Sequence, residues 1–357
     1  MKLTGKLLLR CIIAVTFFCA GARAQAAAQA AGRSITDHAG RTVRVPDRIT
    51  RVVGTSPVGT ILLYTLCPDM LAGWNHALRS GEREFIPEPY RSLPNLGGWY
   101  AKNTGSLEEL VRLRPDVLIG AGKLGPAEIE QADRIQQQIY IPLIMLDGSL
   151  EGLEKAYLFL GELTGERQRA GILAAYCREK LAAVDTALAG LPAEGSTRIY
   201  YAEGAAGLET EPGGSDHTGL LSRVGGSNVA QVPAREGIGM TPVSMEQVIA
   251  WNPEALLVWN RGQGGAYDHI MSDPLWAKLL AVKNRRVYEI PAAPFNWFDR
   301  PPAVNRVIGL LWLTRLLHPD RFACDIAAEA QRFCRLFYHI DLSDDQIRGL
   351  LERSGGA

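Results

Sequence analysis

Between residues 166 and 189, apolar side chains recur at Ala170, Leu173, Cys177, Leu181, Val184 and Leu188, at intervals of 3, 4, 4, 3 and 4. That rhythm places one apolar stripe on one face of a single helix. At about 1.5 Å per residue the helix would be roughly 36 Å long, enough to run the height of a small domain. The whole stretch 149–191 lacks an internal proline and is predicted helical. Gly165 separates an earlier helix from the long one, and Gly190 with Pro192 ends it.

The flanking stretches have a different rhythm. Before the helix, short apolar runs alternate with helical patterns. Strands are predicted at Thr42–Val45, Thr50–Gly54, Met70–Trp74, Asp116–Gly120 and Tyr140–Leu146, the last with Pro142 and therefore suited to a sheet edge. Helices are predicted at Thr60–Leu66, Ser106–Leu113 and Gly125–Gln138. After the helix come strands at Arg198–Ala202, Ala255–Trp259 and Arg286–Ile290, and helices at Gly219–Val224, Ser244–Ala250, 303–317 and 326–337. Alternation of this kind marks an α/β layer with parallel strands. The expected fold class is α/β, with two Rossmann-like lobes of parallel-rich sheets bridged by a single long α-helix. The expected divisions are 33–148 for the N-terminal lobe, 149–191 for the helical segment with its bridge at 166–189, 196–322 for the C-terminal lobe, and 323–357 for a helical tail. Residues 25–34, rich in Ala and Gln, read as a disordered leader.

An internal repeat supports two lobes. Ser106-Leu107-Glu108, Pro115-Asp116 and Val117-Leu118-Ile119 are matched by Ser244-Met245-Glu246, Pro253-Glu254 and Ala255-Leu256-Leu257-Val258. Each copy reads as a capping serine, a short helix, a proline and a buried strand.

The N-terminus adds a destination. Lys2, Lys6 and Arg10 precede the apolar run Cys11–Ala20, and Ala22-Arg23-Ala24 offers a cleavage site, so 1–24 reads as a secretory signal. Cys19 follows Phe18 rather than a small residue, which argues against a lipid anchor. Taking Lys2, Lys6, Arg10 and Arg23 from the 38 basic residues leaves 34 against 38 acidic ones, a charge of −4. That balance speaks against nucleic acid or an anionic membrane as main partner. Apolar residues at 47% and charged ones at 21% suit a soluble globular protein. Of the remaining cysteines, Cys324 and Cys334 are expected on one helix, too far apart to bond. Buried thiols, or one bridge of unassigned pairing with Cys67 or Cys177, are expected.

Several stretches together resemble the periplasmic substrate-binding proteins of ABC importers for iron-siderophores, haem and cobalamin, whose lobes are joined by one rigid helix. They are "ITDHAGRTVRVPDRITRVV", "SLEELVRLRPDVLIG", "SMEQVIAWNPEALLVW", "VGGSNVA" and "PFNWFDRPPAVNRVIGLLWL", in an order that covers almost the whole chain after the signal. The resemblance implies capture of a metal chelate, with a ferric siderophore or haem leading and cobalamin, molybdate or a nickel chelate as alternatives. It implies delivery to a membrane permease and its ATPase, with Glu108 and Glu246 docking in arginine pockets. Relatives often carry a glutamate where this chain has Gly59-Thr60-Ile61, which leaves Glu108 against Glu109 open. In cobalamin binders an aspartate and an arginine line the cleft at positions matching Asn296 and Arg300. The missing charge at Asn296 weakens that ligand in particular.

In two-lobed α/β proteins, ligands sit beyond the carboxyl ends of the strands. The segments there supply Trp74, His76, Tyr100, His217, Trp259, Arg261, Trp297 and Arg300 as candidate ligand contacts. Aromatic faces and guanidinium forks suit a flat or anionic guest. His76, His217 and Tyr267 show no metal-ligand spacing, and no intrinsic cofactor is expected. Nucleophile-elbow, zincin, P-loop and dinucleotide motifs are absent, so no enzymatic activity is expected. An enzyme or metal-cluster protein on the same architecture is the rival from another class. The protein is expected to act as a monomer, with modest closure, because one helix absorbs little rotation.

Overall fold

The computed structural model describes residues 32–100, 103–191, 196–233 and 240–355. The expected signal at 1–24, Cys19 and Pro192 lie outside the described residues.

The first lobe is built on three parallel strands in the order β3 (Val52–Gly54), β4 (Val117–Gly122), β5 (Leu143–Asp147). A hairpin of β1 (Arg33–Thr36) and β2 (Thr42–Val45) precedes them. Helix α1 (Pro57–Leu66) starts beneath Ser56, whose hydroxyl accepts from the Gly59 amide, and is buried along almost its whole length. Helices α2 (Leu107–Leu113) and α3 (Pro126–Ile139) complete the lobe. The second lobe has four parallel strands in the order β9 (Val287–Glu289), β8 (Ala255–Val258), β6 (Thr197–Ala202), β7 (Gly226–Asn228). Between the lobes run α4 (Leu153–Thr164) and the long α5 (Arg167–Leu188), separated by Gly165 at φ 88°. After α6 (Met245–Trp251), the chain ends in α7 (Asn305–Leu317), α8 (Ile326–Tyr338) and α9 (Asp344–Leu351).

The repeat has a physical basis. Ser106 and Ser244 cap α2 and α6 by accepting from the Glu109 and Gln247 amides, each at 3.3 Å. Both helices end in a left-handed residue, Arg114 and Asn252. The acid after each proline then clamps the start of the neighbouring strand. Asp116 accepts from the Thr50 and Arg51 amides at 2.6 and 2.9 Å, and Glu254 from the Arg198 amide at 2.9 Å.

The predicted stripe of α5 is the face that packs. Ala170, Leu173, Cys177 and Val184 are buried, and Leu181 and Leu188 lean on the same core. That core is continuous. It includes β3, β4 and α1 of the first lobe, α5, and α7 and α8 beyond the second sheet. Helix α8 packs on both α1 and α7.

Three expectations are corrected. Met70–Trp74 is not a strand: Pro68–Met70 forms a 3-10 turn, and beyond it only isolated bridges survive, Leu71 to Val52 and Trp74 to Asn95. Gly73 is hemmed in by Leu96 and the Pro94 carbonyl, so the pairing passes to the 94–96 segment. Cys324 precedes α8 rather than sharing it with Cys334. All four described cysteines are free thiols, and burial raises Cys67 and Cys334 to about 12. Residues Arg33 and Ser34 belong to β1, not to a leader: pairing with Val45 and Arg44 satisfies their backbone. Among the described residues, no helix is long and apolar enough to cross a membrane.

Candidate functional site

A cleft of about 820 Å³ opens between the lobes, outside the carboxyl ends of β3 and β4. Its first-lobe wall includes Ser56, His76, Arg79, Tyr100 and Lys123; its second-lobe wall includes His217, Trp259, Gln263 and Arg300.

His76 is held by its predecessor. The Asn75 amide donates to the carbonyls of Gly54 and Gly97 at 2.9 and 2.8 Å and pairs with the Thr60 hydroxyl, pinning the segment to the end of β3. His76 Nε2 then lies 3.2 Å from Glu82, whose carboxylate also accepts from the Arg79 amide at 2.8 Å. Gly98 brings Tyr100 over the cleft: a Cβ there would sit 2.4 Å from the Tyr100 ring. Burial pushes the Tyr100 hydroxyl upward, so it stays a neutral donor.

On the opposite wall Arg300 is surrounded by acids. Its Nε lies 3.2 Å from Glu203 and 3.3 Å from Asp299, and Nη2 bonds Glu211. Burial works against its charge, yet Asp299 and Glu203 raise it above the ordinary guanidinium. The guanidinium also covers the Trp259 ring, 5.4 Å from the centroid. Asp299 accepts from the Tyr201 hydroxyl at 2.7 Å and lies 3.2 Å from Nδ1 of His217, which lines the cleft. Asn296 builds the turn that presents these groups: its side-chain oxygen accepts from the Phe298 and Asp299 amides at 2.7 and 3.1 Å.

The structure brings five of the eight sequence candidates to the cleft: His76, Tyr100, His217, Trp259 and Arg300. It places three elsewhere. Trp74 is buried against Tyr64 and donates its ring N–H to the Tyr90 carbonyl, 2.8 Å away. Trp297 has no exposed surface and donates to the Ala293 carbonyl at 3.1 Å. For both, the apolar body outweighs the polar tip. Arg261 turns to Glu352 and Glu289, away from the cleft. Asn296 is buried and structural, and Tyr267 lies under Arg353. Sequence reading missed Arg79, Lys123, Glu203 and Glu211. Glu203 carried one usable signal, an acid directly after the buried run Ile199–Ala202.

Two α/β lobes bridged by a long helix, with a cleft between them, define a two-lobed solute-binding protein. Residues 88–294 match the family model described as periplasmic binding protein. The chain belongs to that family. It is 27% identical over 346 residues to the molybdate-binding protein MolA of Haemophilus influenzae, covering 88% of this chain and 93% of that one. Among solved structures it is similar to an ABC transporter solute binding protein from Sulfurospirillum deleyianum, at 30% identity and a TM-score of 0.82, covering 90% of this chain and 99% of that one. A periplasmic heme-binding protein, RhuT from Roseiflexus, shares the fold at 22% identity and a TM-score of 0.54, covering 76% and 98%.

Proposed function

We propose that this protein captures a metal chelate in the interlobe cleft, in the periplasm, and delivers it to the permease of an ABC importer. The observation that carries the reading is the cleft itself. Its 820 Å³ falls in the range that takes a small organic ligand, about 300–1,000 Å³, and far exceeds a lone metal ion. Among the described residues no three His, Cys, Asp or Glu side chains converge to hold an ion, so a chelator would supply most donor atoms. His76, Tyr100, His217, Trp259 and Arg300 are the proposed ligand contacts, with Arg79 and Lys123 facing anionic groups of the chelator.

Glu108 and Glu246 are the proposed docking residues for the permease and, through it, its ATPase. Both are exposed at equivalent places on α2 and α6. Glu109 is engaged by Arg112 at 2.6 Å, which leaves Glu108 as the carboxylate of its helix with no ion pair among the described residues. Hydrogen bonds from its own amide and Ser244 hold the Glu246 carboxyl below its usual range, ready as an anion. The relatives are binding proteins, which favours transport over catalysis.

Molybdate is the second reading, favoured by the full-length similarity to MolA. Native mass spectrometry with elemental analysis, on protein taken from its own periplasm, separates the two. A chelator mass with an iron, nickel or cobalt signal is expected. Protein that carries no such adduct and binds neither hemin nor nickel(II)–histidine would refute chelate capture. Molybdenum alone would establish the oxyanion.

A further inference from the structure

Behind the second-lobe wall, three carboxylates share one guanidinium. Glu203, Glu211 and Asp299 all contact Arg300, so the group is doubly negative when every acid is ionised. Glu203 and Asp299 are 0% and 1% exposed. Glu203 Oε2 and Asp299 Oδ2 are buried without any hydrogen-bond partner. Burying carboxylates that share one counter-charge and keep an oxygen without a hydrogen bond is unfavourable, and a second positive charge or a proton relieves it.

The surroundings supply few charges. From β6, the Tyr201 hydroxyl donates to Asp299. From the loop 211–218, the Ser215 hydroxyl donates to Glu211 at 2.8 Å, and His217 Nδ1 faces Asp299 at 3.2 Å. The Met240 amide donates to Glu211 at 3.1 Å. Glu209 lies across the strand bridge from Glu203 and adds no positive charge. On α7, Arg306 faces Asp299, with its own charge disfavoured by burial. Arg300 is thus the one cation in an ion pair with Glu203 among the described residues. It is also, with His217, the part of the nest that reaches the cleft.

We propose that Glu203 carries a proton while the cleft is empty and releases it when a ligand brings positive charge against the His217–Arg300 wall. Capture then exchanges a proton for a cation: the Glu203 carboxyl becomes a carboxylate, and the proton passes to solvent. The proposal rests on the chelate-capture reading and deepens it, because it selects ligands whose metal centre faces the second lobe and whose anionic groups face Arg79 and Lys123. Burial first, then the Asp299 charge, lift the Glu203 carboxyl to about 8, so the proton is present at neutral pH.

Infrared difference spectroscopy of the ligand-free full chain tests the proton directly. A protonated-carboxyl band should titrate away near pH 8 and be absent in Glu203→Gln. In Asp299→Asn the same band should persist but titrate at lower pH, because a like charge has gone. Calorimetry with nickel(II)–histidine in two buffers of different ionisation heat then counts protons. Release of about one proton per ligand is expected, lost in Glu203→Gln. A ligand-free protein without a titrating carboxyl overturns the proposal, whatever binds. So does proton uptake on binding, or unchanged release in Glu203→Gln, or tighter binding of molybdate than of nickel(II)–histidine. If neither probe binds, the capture reading fails, and the carboxyl band still decides the proton.

Discussion

Replacing Arg300 by Met keeps much of the side chain's bulk and removes its charge. The guanidinium is 22% exposed, whereas its three carboxylate partners are 0%, 1% and 4% exposed. Removing one partner of a buried ion pair typically costs about 3–5 kcal/mol, because the remaining charge has nowhere to go. Glu203, Glu211 and Asp299 all lose their counter-charge, Glu203 once it ionises near pH 8, so the upper end, about 5 kcal/mol, is expected at and above that pH. The loss must depend on pH. Without Arg300, the cation that holds it down, the Glu203 carboxyl rises further above the unfolded carboxyl range, so the folded chain binds more protons than the unfolded one. Stability supplied in that way is present at low pH and lost as pH rises through the folded values. Wild-type Glu203, raised from 4.5 to about 8, has the same sign in a smaller dose. Urea denaturation followed by tryptophan fluorescence at about pH 5 and about pH 8 reads both effects. The variant should lie near wild type at the lower pH and far below it at the higher. A midpoint unchanged at the higher pH, or a loss equal at both, would refute the shared-guanidinium picture.

Trp297→Ala should cost about 3–5 kcal/mol of stability, measured by the same denaturation, as for a truncated core aromatic; ligand affinity of the folded fraction should not change, since Trp297 does not line the cleft. Arg169→Met should cost about 3 kcal/mol. Arg169 donates to the Thr65 carbonyl from two nitrogens, at 3.0 and 2.8 Å, and to Leu336 at 2.7 Å, so it closes the ends of α1 and α8 together. Glu108→Lys with Glu246→Lys should abolish uptake in a cell-based transport assay while calorimetric ligand affinity stays intact. Lost affinity would mean that these two carboxylates do not dock.

Much of the fold is legible because its signals are local. The stripe Ala170 to Leu188 needs only the helical period, and the Ser-helix-Pro-acid repeat needs only caps and a strand. Strand β1 escapes because Arg33–Thr36 has no apolar alternation and is held by its partner β2. Helix α9 is legible only as part of the helical tail 323–357, without bounds of its own, because its capping box, Ser343 with Gln346, sits in a stretch of low mean hydropathy. The cleft is harder. His76 and Trp259 follow strand-end logic, but so do Trp74 and Trp297, and nothing along the chain tells which ring faces inward. Glu203, Glu211 and Asp299 are ordinary isolated acids in the sequence, gathered only when β6 and the 295–300 loop meet.

The return of α8 to α1 has a consequence for how the molecule could be divided. Tyr338 and Phe295 meet Tyr64 and Trp74 of the first lobe, so the polypeptide crosses between its halves and then crosses back. A fragment ending at 191 would leave the flank of α1 bare, and the complementary fragment from 196 would present a matching apolar wedge. Each half would then lack part of the core that the two share. Produced together, the two pieces should find one another and rebuild the receptor without a covalent link.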